Sequence, residues 1–242
     1  MNDMNIDILT QGTDWGVMHF KFIAYLILFY TALAIVTAVY FFLVFSDWLK
    51  HKCLISYVQG ESIQGVERIL KSGVDMNEKN IFGTTPLMGV VRYAKDVQML
   101  ERVLSQANIN VADEVGNTPL MVAARYNTNE QIIQTLIYEG AKVQPVNAQG
   151  RNALMVAATY NTNPSIVNML VNAGTDVNKM DKEGKTALML AAQSNPNPQI
   201  IDELLVLGAD KYVRCSVGRT AYDYAHENVE LYQTHAYEAL EV

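Results

Sequence analysis

The sequence predicts an all-α fold: a solenoid of helix-turn-helix repeats joined by β-hairpin loops, preceded by one N-terminal transmembrane helix. Two observations carry this expectation. The first is self-similarity. The run GNTPLMVAARYNTNEQIIQTLIYEGAKV from Gly116 is followed, 34 residues later, by GRNALMVAATYNTNPSIVNMLVNAGTDV from Gly150. Thr85, Thr118, Asn152, Thr186 and Thr220 stand in register at spacings of 33, 34, 34 and 34, and so do Gly83, Gly116, Gly150, Gly184 and Gly218. A period of roughly 20–50 residues is the mark of stacked repeats. The second observation is a run of 24 residues, Phe22 to Phe45, without a charge.

Taken in order, residues 1–21 form a short tail and residues 22–45 the transmembrane helix. At 1.5 Å per residue that helix is about 36 Å long, enough to cross a hydrocarbon layer of roughly 30 Å. Trp15 and Phe20 before it, and Trp48 after it, sit where interfacial aromatics belong. A cleaved signal peptide fits poorly. The first 20 residues carry Asp3, Asp7 and Asp14 and no Lys or Arg, the apolar run is too long, and no A-x-A-like site follows Phe45. A buried core helix is the other reading, and a run apolar all round argues against it in a chain of this length. Lys21 precedes the span, whereas Lys50, Lys52, Arg68 and Lys71 follow it, which places the repeats on the cytoplasmic side and the amino terminus outside. Ala34 and Ala38 make a small-x-x-x-small pair, with Thr31 and Thr37 nearby, so homo-oligomer or hetero-complex formation through the span is a further expectation.

Residues 46–52 are read as a juxtamembrane connection, 53–228 as the repeat domain and 229–242 as an acidic C-terminal cap. With no Pro/Gly/Ser-rich linker, the repeats are expected close to the membrane surface. Cys53 to Asn77 reads as a degenerate capping repeat, followed by about four fuller ones. In each, Thr118 or its equivalent caps a first helix, and Pro119 occupies an early position where no donor is lost. Asn129, Asn163 and Asn197 start a second helix whose apolar stripe repeats as Ile132, Ile133 and Leu136, then Ile166, Val167 and Leu170, then Ile200, Ile201 and Leu204. Gly140, Gly174 and Gly208 end it as left-handed caps. The second repeat is irregular. Ala107-Asn108-Ile109-Asn110 lacks the glycine and one residue, and Gly89-Val90-Val91 stands where the others have Val-Ala-Ala or Leu-Ala-Ala, so a local change of stacking is expected.

These residues resemble one family. Thr118-Pro119-Leu120-Met121-Val122-Ala123-Ala124 is similar to the ankyrin repeat core, T-P-L-H-x-A. Gly174-Thr175-Asp176-Val177-Asn178 resembles the G-A-D-V-N run that closes an ankyrin repeat, and Gly208-Ala209-Asp210 resembles its start. The resemblance covers residues 50–228. One departure recurs: the signature His is Met88, Met121, Met155 and Met189 in four copies and Asp223 in the last.

The resemblance implies a concave face, built from hairpin tips and first helices, that binds a protein partner. By register, Arg92, Arg125, Thr159 and Gln193 form one column on it, and Tyr93, Tyr126, Tyr160 and Ser194 the next. A row of tyrosines suits an interface. The competing reading is that each Tyr packs locally over the turn that follows. Ile81 and Phe82, large and apolar at one hairpin tip, are further candidates.

No constellation for catalysis, cofactor or metal stands out. His19, His51, His226 and His235 share no ligand spacing with each other or with Cys53 and Cys215, and no phosphate-binding glycine loop occurs. Two free thiols suit a reducing compartment. A formal charge of −7 and a pI near 5.1 argue against nucleic acid as a partner. The function expected is a membrane-anchored protein–protein interaction scaffold. An accessory or inhibitory subunit of a membrane complex is the alternative within the same fold, and an enzyme with an unrecognised site the alternative outside it.

Overall fold

The computed structural model describes the backbone at residues 7–80, 82–232 and 234–241, and the side chains there except at 7–21, 40–48 and 51. Ile81 lies outside the described residues, as do the side chains of Trp15, Phe20, Lys21 and Trp48. The chain divides into two compact units, Met1–Leu49 and Lys50–Val242.

The first unit is helical from Asp7 onward, as part of α1 (Asp7–Gln59). Its window Phe22–Val39 is long and apolar enough to cross a membrane, and none of it is buried. Apolar side chains point outward all round it, Phe22, Ile27, Phe29 and Ile35 among them. The Thr31 and Thr37 hydroxyls each donate at 2.9 Å to their own helix, to the carbonyls of Leu28 and Ala34. They are therefore satisfied without a neighbouring helix.

The second unit is a stack of helix pairs. The end of α1 pairs with α2 (Ile63–Lys71), burying Leu54, Val58 and Val66 completely. There follow α3 (Pro86–Tyr93) with α4 (Val97–Leu104), α5 (Pro119–Tyr126) with α6 (Glu130–Tyr138), and α7 (Ala153–Tyr160) with α8 (Pro164–Asn172). Next come α9 (Ala187–Ser194) with α10 (Gln199–Val206), and α11 (Ala221–Ala225) with α12 (His235–Leu240). First helices stack on first helices and second on second. The reason lies in the sequence period. Ala123, Ala157 and Ala191, with Ala124, Ala158 and Ala192, are wholly buried, and their small side chains let successive first helices approach closely. The four methionines that replace the family's histidine are also buried, as flexible filler between repeats.

Gly89 has a packing reason for its departure from that pattern. A Cβ there would lie 2.9 Å from Cδ1 of Ile55, so the glycine makes room for the capping helix. At the other end, α12 packs against α10 and α11, and Leu231, Ala236 and Leu240 are buried. The acidic tail thus contributes an apolar seal as well as a charged exterior, which residue composition alone does not show.

Local signals act as the sequence implies. Thr118 Oγ1 accepts the Met121 N–H at 3.4 Å, and Asn163 Oδ1 accepts the Ser165 N–H at 3.0 Å. Asn197 accepts from Gln199 at 3.1 Å, although α10 itself begins one residue after Pro198. Gly140 is left-handed at φ 93°, and the Ala141 N–H then bonds back to Leu136 O at 2.9 Å. The hairpin loops carry no strand among the described residues. Each is a tight turn, closed for example by Asp113 N–H to Asn117 O at 2.9 Å.

Candidate protein-binding groove

What holds neighbouring repeats in register is a ladder of buried asparagines, one residue beyond the tyrosine column. The Asn127 amide donates to Val91 O at 2.9 Å and Ala94 O at 2.8 Å in the repeat before it. Asn161 does the same to Ala124 O and Asn127 O, and Asn195 to Ala158 O and Asn161 O, at 2.8–2.9 Å. Asn228 continues the ladder to Ala192 O and Asn195 O. Each side-chain oxygen accepts the N–H two residues on, as Asn161 does from Asn163 at 2.9 Å. The chain beyond α5, α7, α9 and α11 is thereby fixed against the repeat before it, whereas Ala94 stands at this place after α3. The turns are tied in the same way: Ala148 N–H bonds to Val115 O at 2.7 Å, Lys182 N–H to Gln149 O and Ser216 N–H to Glu183 O, both at 3.0 Å.

The turns themselves are built around one acceptor. Asn80, Asp113, Asn147 and Asp181 each accept the N–H groups of residues two and four further on, at 2.8–3.1 Å. Cys215 occupies this place in the last turn. Burial pushes its thiol pKa up, but bonds from the Tyr224 hydroxyl and the Val217 and Arg219 backbone outweigh it, with Lys185 nearby, and hold it below the ordinary thiol value. Tyr224, buried and bonded to Cys215 at 3.3 Å, is pushed up to about 12.

Between the turns and the first helices runs a groove of about 590 Å³. Along it the two expected columns interleave into one stack. Arg92 lies over the ring of Tyr93 at 5.2 Å and over Tyr126 at 4.0 Å; Arg125 lies over Tyr126 at 5.2 Å and over Tyr160 at 3.8 Å. The order is Tyr93, Arg92, Tyr126, Arg125, Tyr160, with a guanidinium over a ring at each step. Tyr126 and Tyr160 remain nearly half exposed, at 45% and 44%. Local packing and exposure therefore coexist at Tyr126 and Tyr160, while Tyr93 is partly buried against the core.

The stack stops at Tyr160 for a legible reason. Thr159 is buried, its hydroxyl donating to Met155 O at 2.7 Å, and Gln193 accepts from Lys185 at 3.1 Å. Phe82 is 68% exposed but does not line the groove, so the structure does not bring it to the ledge. Sequence reasoning found both columns and missed their interleaving; it also missed the asparagine ladder, although the 34-residue recurrence of Asn127, Asn161 and Asn195 announces it. The buried pair Arg151 with Asp181, at 3.0 Å between adjacent turns, was likewise not foreseen. Among the described residues, no cluster of His, Cys, Asp and Glu could hold a metal ion.

A family model for ankyrin repeats matches the chain in three overlapping copies, at residues 54–147, 87–181 and 154–236. No curated protein matches it.

Proposed function

The chain belongs to the ankyrin repeat family, whose repeats are protein–protein interaction modules, and we propose that it is a membrane-anchored adaptor that holds a protein partner in its concave groove. Proteins of this family are generally non-enzymatic scaffolds. The observation that carries the reading is the ledge Tyr93, Arg92, Tyr126, Arg125, Tyr160 along the groove, exposed at all but Tyr93. Tyrosine and arginine are the residues that most often supply the energy of an interface, because they bury large area at little entropic cost and keep polar edges. Phe82, with Ile81 beside it in sequence, is a second contact at a neighbouring tip in this reading. No cofactor or nucleic acid takes part, and residues 22–45 anchor the chain with the repeats in the cytoplasm and the amino terminus outside.

In-cell cross-linking followed by pull-down tests this. The full-length chain should capture one specific protein that a Tyr93→Ala/Tyr126→Ala/Tyr160→Ala variant loses, while the variant stays folded. Capture of the same protein by the variant would remove the ledge from consideration and turn attention to the span. If the span is only an anchor, residues 50–242 alone should bind the partner as tightly as the whole chain. Weaker binding by the fragment would instead favour an accessory subunit that uses the span as interface.

A further inference from the structure

We infer that the groove selects a partner segment bearing carboxylates, clamped by Arg92 and Arg125; this rests on the reading of the groove as the partner site. The argument is one of charge left unspent. The other cation that lines the groove among the described residues, Arg151, is engaged within the chain, as are two further along the face. Arg151 holds Asp181, Lys185 holds Glu183 at 2.9 Å, and Arg219 holds Glu227 at 2.7 Å. Arg92 and Arg125 are different: both are exposed, and among the described residues neither makes a hydrogen bond nor an ion pair. Each guanidinium carbon sits over tyrosine rings, Arg92 at 4.0 Å from Tyr126 and Arg125 at 3.8 Å from Tyr160, and its N–H groups find no acceptor among the described residues, so they are what can bind something.

A guanidinium fixed in this way is pre-organised. Its five donors lie in one plane, and a carboxylate matches that fork with two parallel bonds. Stacking removes much of the rotamer freedom that an exposed arginine otherwise loses on binding. Among the described residues the one carboxylate that lines the groove, Asp113, is already hydrogen-bonded. Its oxygens accept the Val115 and Asn117 N–H groups and the Asn117 side-chain amide, at 2.8–3.0 Å. Its oxygens are turned to those donors, and it forms no ion pair with either arginine among the described residues. In a chain of formal charge −7, two unpaired arginines separated by a single tyrosine ring form a local cationic site, and charge complementarity commits the occupant to an acidic protein segment. Apolar walls at Val115, Val122 and Val156 suit small aliphatic side chains between the acids.

The test is a fluorescence-anisotropy titration of the detergent-solubilised full chain. The probe is a labelled ten-residue peptide alternating Glu with Ala, compared with the same peptide carrying Gln. The Glu peptide should bind at least about tenfold tighter, and more weakly as salt rises. Arg92→Gln or Arg125→Gln should each remove about tenfold of that preference, with the melting temperature unchanged. Arg125→Lys should restore only part of it, because lysine keeps the charge but loses the fork and the stack. The inference falls if the two peptides bind within twofold, if neither binds at millimolar concentration, or if the Gln variants bind the Glu peptide normally. It falls also if a single-stranded oligonucleotide of equal charge displaces the peptide from wild type but not from Arg125→Gln. Pull-down of the cellular partner separates the two levels. Loss by the triple tyrosine variant with retention by Arg92→Gln/Arg125→Gln keeps the groove and removes the carboxylate clamp; retention by both removes the groove.

Discussion

Two columns of this solenoid lie one residue apart and repeat with the same period, yet they are used in opposite ways. Asn127, Asn161 and Asn195 are buried, and every polar atom of their amides is bonded to the chain. Tyr126 and Tyr160, immediately before the first two of them, are exposed, and their hydroxyls make no bond among the described residues. Repetition makes both columns straight. In the inner one the geometry is consumed by stability, because an unmet carbonyl there would be costly. In the outer one the same geometry leaves donors, rings and charge directed at the groove. A repeated residue is thus not evidence of function by itself; what counts is whether its bonding capacity is already used.

This contrast can be broken from the inner side first. Asn161→Ala strips the bonds from Ala124 O and Asn127 O and leaves both buried carbonyls unmet, a loss of about 3 kcal/mol at the usual 1–3 kcal/mol per buried orphan group. Thermal melting should show it plainly, while the fraction still folded binds partner normally. If stability fell by less than a quarter of that, the ladder would not be what holds the repeats in register. Removal of the three ledge tyrosines should have the opposite signature, with partner lost by a protein that still melts cooperatively.

A gain is expected where the inner bonding is incomplete. Asn152 caps α7 through Oδ1, accepting the Met155 N–H at 2.9 Å, but its Nδ2 is buried with no partner. Thr stands at this place in the other copies, and Asn152→Thr should keep a cap while removing the orphan, raising stability by about 1 kcal/mol. A drop in melting temperature would mean that the amide is doing something the structure does not display.

The smallest effect concerns pH at the carboxyl-terminal cap. Asp223 accepts the Thr220 N–H at 2.7 Å and its hydroxyl at 2.9 Å, and these bonds hold its carboxyl below the usual carboxylate range. Its folded pKa is depressed, so its contribution is complete above the unfolded value of about 3.9 and fades as pH falls through the folded one. The wild-type chain should therefore lose slightly more stability than Asp223→Asn between pH 7 and pH 3, measured by urea unfolding. Equal slopes would assign that acid sensitivity elsewhere.

Much of the architecture is readable from single residues because each signal is local. A threonine before a proline caps a helix wherever it stands, and a glycine such as Gly140 ends one because its φ is free to be positive. The groove was readable only in part. Register alone puts Arg92 with Arg125 and Tyr93 with Tyr126 and Tyr160, since a fixed period makes equivalent positions collinear. It does not say that Arg92 reaches forward to the ring of the next repeat, because that depends on side-chain direction and on how closely the repeats stack.

By itself, the sequence determined the period, the helix pairs with their caps, the alanine columns that set close stacking, and an apolar run long enough to span a bilayer. These follow from hydrophobic pattern and backbone preference, which act within a turn or two of chain. Only the tertiary structure decided which repeated polar residues are spent and which are left for a partner. That distinction turns on bonds between residues about 34 positions apart, such as Asn161 to Asn127, and no local propensity carries it.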